Sequence, residues 1–299
     1  MKIIISLKMP VLLAMLTVAG VGCSGYSYQL DLTSVANVRN VKVQSVVKEG
    51  EIVLLSEIVN SAGQGLAGEL IIGGINARRE RKTEELVAPL RQSTKGVNFR
   101  SEFWGMLVPA LTKNVWPHVS AIETLTSRLP VVADTTKSQG LIELETSFTL
   151  SPDALYLTVF TQYRFLTRGS TKATCIGTIS YESQRLSEVE IKSAIEKWSA
   201  NGAALYRAEL LQGIEHNVKM ITRSLLYMGH KTKKPSTDRF QVKPAETIPA
   251  NRWPYRMTVN GHMGWLIERN AQRIIFQSEP GPFYSLPVST VEIIPASNK

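Results

Sequence analysis

The stretch that most constrains this chain is residues 140–167, where polarity alternates with period two on both sides of a turn-forming cluster. Ile142, Leu144, Phe148 and Leu150 alternate with Glu143, Glu145, Ser147 and Thr149. Ser151-Pro152-Asp153 then supplies turn chemistry, and Leu155, Leu157, Val159 and Phe165 resume the alternation. Successive strand side chains point to opposite faces, so this spacing buries one face only if the chain is extended. The pattern predicts an antiparallel hairpin, with Glu143 and Glu145 on its wet face. A third strand over 173–181 extends it to a meander.

Helical spacing flanks the hairpin. Leu86, Val87 and Leu90 share one face after Glu84-Glu85. Beyond the stop at Gly96, Phe99, Phe103, Met106, Leu107 and Leu111 recur at threes and fours, which predicts two core-facing helices. Residues 115–127 read as a strand or an edge segment. Downstream, Ser187 and Glu190 form a capping box that opens a long helix running to about Met228, with a break at Asn201-Gly202. Its seam of Leu211, Ile214, Val218, Ile221 and Leu225 is too short for a sustained coiled coil and fits packing on the sheet.

Residues 230–251 are rich in Lys, Thr and Pro and read as a linker. Short apolar runs at Met257-Thr258-Val259, Trp265-Leu266-Ile267, Arg273–Phe276, Tyr284-Ser285-Leu286 and Val291–Ile294, separated by turn residues, predict a small β module over 252–299, for which a barrel is one candidate form. The expected fold class is α+β: an antiparallel meander sheet packed by helices over 35–229, followed by that module.

The amino terminus has three zones. Lys2 and Lys8 precede an apolar run, Val11–Ala19, and Gly20-Val21-Gly22 leads to Cys23. A run of nine residues is too short to span a bilayer, so this reads as a secretory signal over 1–22 and not a membrane helix. Through Gly20-Val21-Gly22-Cys23 the chain resembles the bacterial lipoproteins. The resemblance implies cleavage before Cys23 and acylation of its thiol and new amine, which leaves 23–34 as a lipidated tether. Ser24 implies sorting to the outer membrane, facing the periplasm.

Catalytic chemistry is harder to find. Gly63-Gln64-Gly65-Leu66-Ala67-Gly68 spells a dinucleotide-binding motif, but the acids about 20 residues on, Glu84 and Glu85, sit in a helical pattern where a Rossmann unit needs the end of a strand. The histidines at 118, 216, 230 and 262 have no second ligand at metal spacing. Cys175 reads as a small buried hydrophobe. The net charge of +9 lacks the dense basic stripe and interleaved aromatics of a nucleic-acid platform. The sequence therefore points to a membrane-anchored envelope lipoprotein with no catalytic, cofactor or metal site, binding an envelope protein or the cell wall. The alternative is an envelope hydrolase whose site is assembled from distant residues around His118 or His262.

Overall fold

The computed structural model describes residues 38–47, 52–54, 84–113, 118–127, 138–170, 173–188, 190–229, 239–246, 261–279 and 281–295. The signal segment, Cys23 with its tether, the glycine motif at 63–68, His230 and most of the linker lie outside these residues.

In chain order the elements are β1 (Asn40–Val47), β2 (Val53–Leu54), α1 (84–93), α2 (Phe99–Thr112), β3 (His118–Leu125), β4 (Gly140–Leu150), β5 (Leu157–Thr167) and β6 (Cys175–Glu182). Then come α3 (Ile191–Gly229), β7 (Arg239–Pro244), β8 (His262–Arg269), β9 (Arg273–Ser278), β10 (Phe283–Pro287) and β11 (Val291–Pro295). The eleven strands among the described residues form one sheet, ordered β11-β7-β8-β9-β10-β6-β5-β4-β1-β3, with β2 alongside β4.

The hairpin forms as its alternation requires. β4 and β5 pair antiparallel from Gly140↔Thr167 to Leu150↔Leu157. The Ser151 hydroxyl accepts from the Leu155 amide at 3.0 Å to close the turn, and β6 adds antiparallel to β5. The fold is nevertheless not the expected antiparallel meander. β1 runs parallel to both β3 and β4, and β10 runs parallel to β6, so the sheet is mixed. Parallel neighbours need long crossovers, and here the crossovers carry the helices. Alternation within a strand reports its faces but not which distant strand lies beside it, so these pairings left no local trace.

The C-terminal module is corrected by the same finding. Its strands continue the main sheet through β10 and β6, and β7 falls within the stretch read as a linker. These strands do contribute a second core. Ile275 and Phe283 point into the large core, whereas Ile274, Phe276, Tyr284 and Leu286 pack with Val242 and Val291 in a smaller one. Alternate residues of β9 and β10 thus feed cores on opposite faces.

The helices cover one face. Val87, Leu90, Phe99, Phe103, Leu107 and Leu111 are buried there. The α3 seam packs on the sheet through Ile214, Val218, Ile221 and Leu225, but Leu211 is 40% exposed and Leu210 takes its inward place. α3 begins at Ile191, later than the Ser187 box implies, and the Ala194 amide donates to the Glu190 carbonyl. Its break covers Ala200 to Ala203, with Asn201, Gly202 and Ala203 in left-handed conformation. Gly213 sets the helix-to-sheet distance, because a Cβ there would lie 2.8 Å from Val159 Cγ2 and 2.9 Å from Tyr181 Cδ1.

Candidate functional site

Among the described residues, three places are candidate sites of polar chemistry or exposed backbone. The first lies where α3 crosses β6, β9 and β10. Alternation turns Tyr181, Arg273 and Ser285 towards the helix, and α3 presents Glu209, Gln212, His216 and Lys219. The Ser285 hydroxyl and His216 Nδ1 are 3.2 Å apart, a spacing that a nucleophile and its base require. Arg273 Nε donates to the same hydroxyl at 3.2 Å, and its Nη2 donates to the Ser285 carbonyl at 2.8 Å and to the Glu182 carbonyl. The guanidinium lies 4.1 Å from the Tyr181 ring centre, and the Tyr181 hydroxyl donates to Glu209 at 2.9 Å.

Burial decides what this group can do. Ser285 is 0% exposed and Arg273 5%, so no substrate carbonyl reaches the hydroxyl. Burial lowers the His216 pKa from its usual value, and Arg273 and Lys219 add to that effect. Burial also holds the Tyr181 hydroxyl well above the usual phenol range. The arrangement is a polar joint that satisfies buried groups while fastening α3 to the C-terminal strands.

The second place is the outer strand β3. It is the last strand of the sheet among the described residues, and none of its side chains is fully buried. Register turns Val119, Ile122 and Thr124 to the same side as Val41, Val43 and Ser45 of β1, where Trp104 of α2 donates to Ser45 at 3.1 Å. On the other side Glu123 is held by Lys42 at 2.6 Å and Gln44 at 3.0 Å. Those two contacts keep its carboxyl below the usual range.

The third is a cavity of about 140 Å³ between α1, α2 and α3, with Arg91 and Lys95 at its mouth and Phe99, Phe148, Tyr206 and Leu210 beneath. Those four are no more than 2% exposed, so the cavity is a dimple over a finished core and offers little apolar surface.

The residues singled out from sequence scatter. Cys23 lies outside the described residues. His118 opens β3, and the His262 ring stacks on Tyr284 at 5.3 Å between centres. Glu143 shares the helix-free face with Glu145 as expected, yet it is only 6% exposed and pairs with Arg164 at 3.2 Å. Burial pushes the Cys175 thiol up to about 11, far from a reactive thiolate. The joint of Ser285, His216 and Arg273 was missed, because its members stand 69 and 12 residues apart and no spacing rule connects them. Among the described residues no cluster of His, Cys, Asp and Glu could hold a metal, and no helix is long and apolar enough to cross a membrane.

No family model and no curated protein matches this chain. Two solved structures show a loose likeness. A DUF330-family protein from Xanthomonas campestris is 9% identical, with a TM-score of 0.29 over 63% of this chain and 84% of that one. A putative neuraminyllactose-binding hemagglutinin homolog from Helicobacter pylori is also 9% identical, with a TM-score of 0.20 over 63% of this chain and 93% of its own. At these values neither assigns this chain a fold family or a function.

Proposed function

We propose that this protein is a bacterial envelope lipoprotein, held by lipid on Cys23 at the periplasmic side of the outer membrane. There it acts without catalysis as a binding or assembly factor for an envelope protein or a cell-wall partner. The observation that carries the reading is Gly20-Val21-Gly22-Cys23 directly after a short apolar run. A small residue before cysteine suits a lipoprotein-type signal peptidase, and several acyl chains at about 0.8 kcal/mol per buried methylene hold a protein stably at a bilayer.

The non-catalytic half of the reading draws support from the full burial of the Ser285 hydroxyl beside half-buried His216, which keeps a substrate carbonyl from that pair. His118 and His262, the histidines of the hydrolase alternative, stand apart at the start of β3 and against Tyr284. Labelling of the expressed protein with a radioactive or clickable fatty acid, followed by membrane fractionation, tests the anchor. Label on the wild type and its loss, with release into the soluble fraction, in Cys23→Ala is the expected result. An unlabelled, soluble wild type would rule the anchor out.

A further inference from the structure

We infer that the part of α3 before its break, 191–199, is a strap held under strain against the turn between β4 and β5, and that it opens by itself while the rest of the fold stays closed. Left-handed backbone is costly for any residue with a Cβ, and it persists only where the surrounding structure holds it. Among the described residues three non-glycine residues adopt it: Ala154 at φ 56°, Asn201 at φ 53° and Ala203 at φ 60°. All three belong to the attachment of one side chain, Trp198. Asn201 and Ala203, with Gly202 between them at φ 65°, make the break that follows it. Ala154 supplies the carbonyl that accepts from the Trp198 indole at 2.6 Å.

The strap itself is fastened at few points. Ala194, Ile195 and Trp198 are buried, and Trp198 also meets Tyr206, beyond the break, edge-on at 6.3 Å between ring centres. Lys192, Ser193, Glu196 and Lys197 are exposed. The ion pairs Lys192–Glu196 and Lys197–Glu188 are long, at 4.0 and 3.6 Å, and such surface pairs hold little. A helix this short is also marginal in water without packing. Beyond the break the anchoring is denser, because Tyr206, Leu210, Ile214 and Val218 are buried in succession and Asn217 bonds Thr161 of β5 at 2.6 Å.

In an unbroken helix the hydrogen-bond ladder would couple the two parts. Here Ala200 is extended and the next three residues are left-handed, so the ladder is interrupted between them. Docking therefore sets the burial of one indole against backbone strain at the break, and opening lets 201–203 leave the left-handed region. The opened state uncovers the Trp198 slot beside Tyr206 and frees the Ala154 carbonyl at the end of the hairpin. The strap is thus a gate over that slot, and its hinge is 200–203.

Gly202 offers the cleanest probe. A Cβ there meets no atom within 4 Å, so only the left-handed backbone resists Gly202→Ala. Gly105 of α2 is equally clear of neighbours and has no such backbone, so Gly105→Ala is the control. The measurement is amide exchange read by mass spectrometry on the full-length chain. In the wild type, 194–199 should lose protection before 204–225 does. Gly202→Ala should speed exchange over 194–199 about tenfold while 140–182 and 204–225 keep their wild-type rates. Trp198→Phe, which loses the indole donor, should act in the same direction at the same place, and Gly105→Ala should leave 194–199 unchanged.

Equal protection on both sides of the break in the wild type overturns the inference. So does a Gly202→Ala effect spread evenly over 194–225 and the sheet, or one absent from 194–199. Should Gly202→Ala fail to fold, the wild-type comparison decides alone.

Discussion

At the scale of single residues, His216 makes the fold sensitive to mild acid. Its pKa is lowered in the folded state, first by burial and then by Arg273 and Lys219, against smaller opposing effects of Glu215 and Glu268. The unfolded chain therefore takes up this proton before the folded one does. Stability is complete above the unfolded value of about 6.5 and declines as pH falls below it. Denaturant titrations of wild type and His216→Gln between pH 7.5 and 5 should show a decline that the variant lacks, and parallel profiles would refute the assignment. Glu268, lowered by Lys219 and Arg223, acts only at more acid pH, because its stabilising charge persists above the unfolded carboxylate value. Gly213 gives a second residue-scale outcome. Gly213→Val drives a branched side chain into Val159 and Tyr181, with an expected loss of about 1–3 kcal/mol that thermal melts would detect. Neither role was legible in the sequence, since a lone His beside Glu215 and a glycine in a helical run look alike whether they face solvent or a sheet.

At the scale of elements, legibility follows the range of the interactions. The β4–β5 hairpin, the third strand β6 and the two helices before β3 were readable, because period and turn chemistry act over a few residues. The parallel placement of β1 between β3 and β4 was not, since it depends on a crossover spanning α1 and α2. What fixes α3 to the hairpin is also non-local. Trp198, fully buried, donates its indole N–H to the Ala154 carbonyl at 2.6 Å, and Asn217 receives the Thr161 hydroxyl at 2.6 Å while Thr161 meets Thr146 at 2.8 Å. Each residue fastens one side of the break at 200–203. Trp198→Ala should cost about 3–5 kcal/mol through the cavity it leaves. Asn217→Ala should cost about 1–3 kcal/mol through stranded buried partners. The two sites are well separated along α3, so their costs should add in the double variant; a marked shortfall in chemical denaturation would mean that the two halves of α3 are coupled across the break, the loss of one fastening already loosening the other.

At the scale of the whole molecule, the question is how a large core on one face and a small core on the other remain a single cooperative body. The sheet joins them through β6 and β10, which share only the pairs Phe283↔Ile179, Tyr284↔Ser180 and Ser285↔Tyr181. Three pairs of a parallel ladder are a weak seam. The polar joint strengthens it, because Arg273 of β9 reaches across β10 to the Glu182 carbonyl of β6, and α3 adds Lys219 and Arg223 on Glu268 of β8. The surface ion pairs are worth little, since Lys219, Arg223 and Glu268 are each 35% or more exposed. The buried guanidinium matters more, as its loss removes a charged donor from both the Glu182 and the Ser285 carbonyls. Arg273→Ala should therefore cost about 2–4 kcal/mol, borne mainly by the C-terminal strands. Amide exchange followed by mass spectrometry should show residues 239–295 opening before 140–182 in the variant, while both regions open together in the wild type. Uniform loss of protection in the variant would show instead that the seam is held by the apolar packing of Ile275 and Phe283 into the large core, with Arg273 only filling the gap between sheets of side chains.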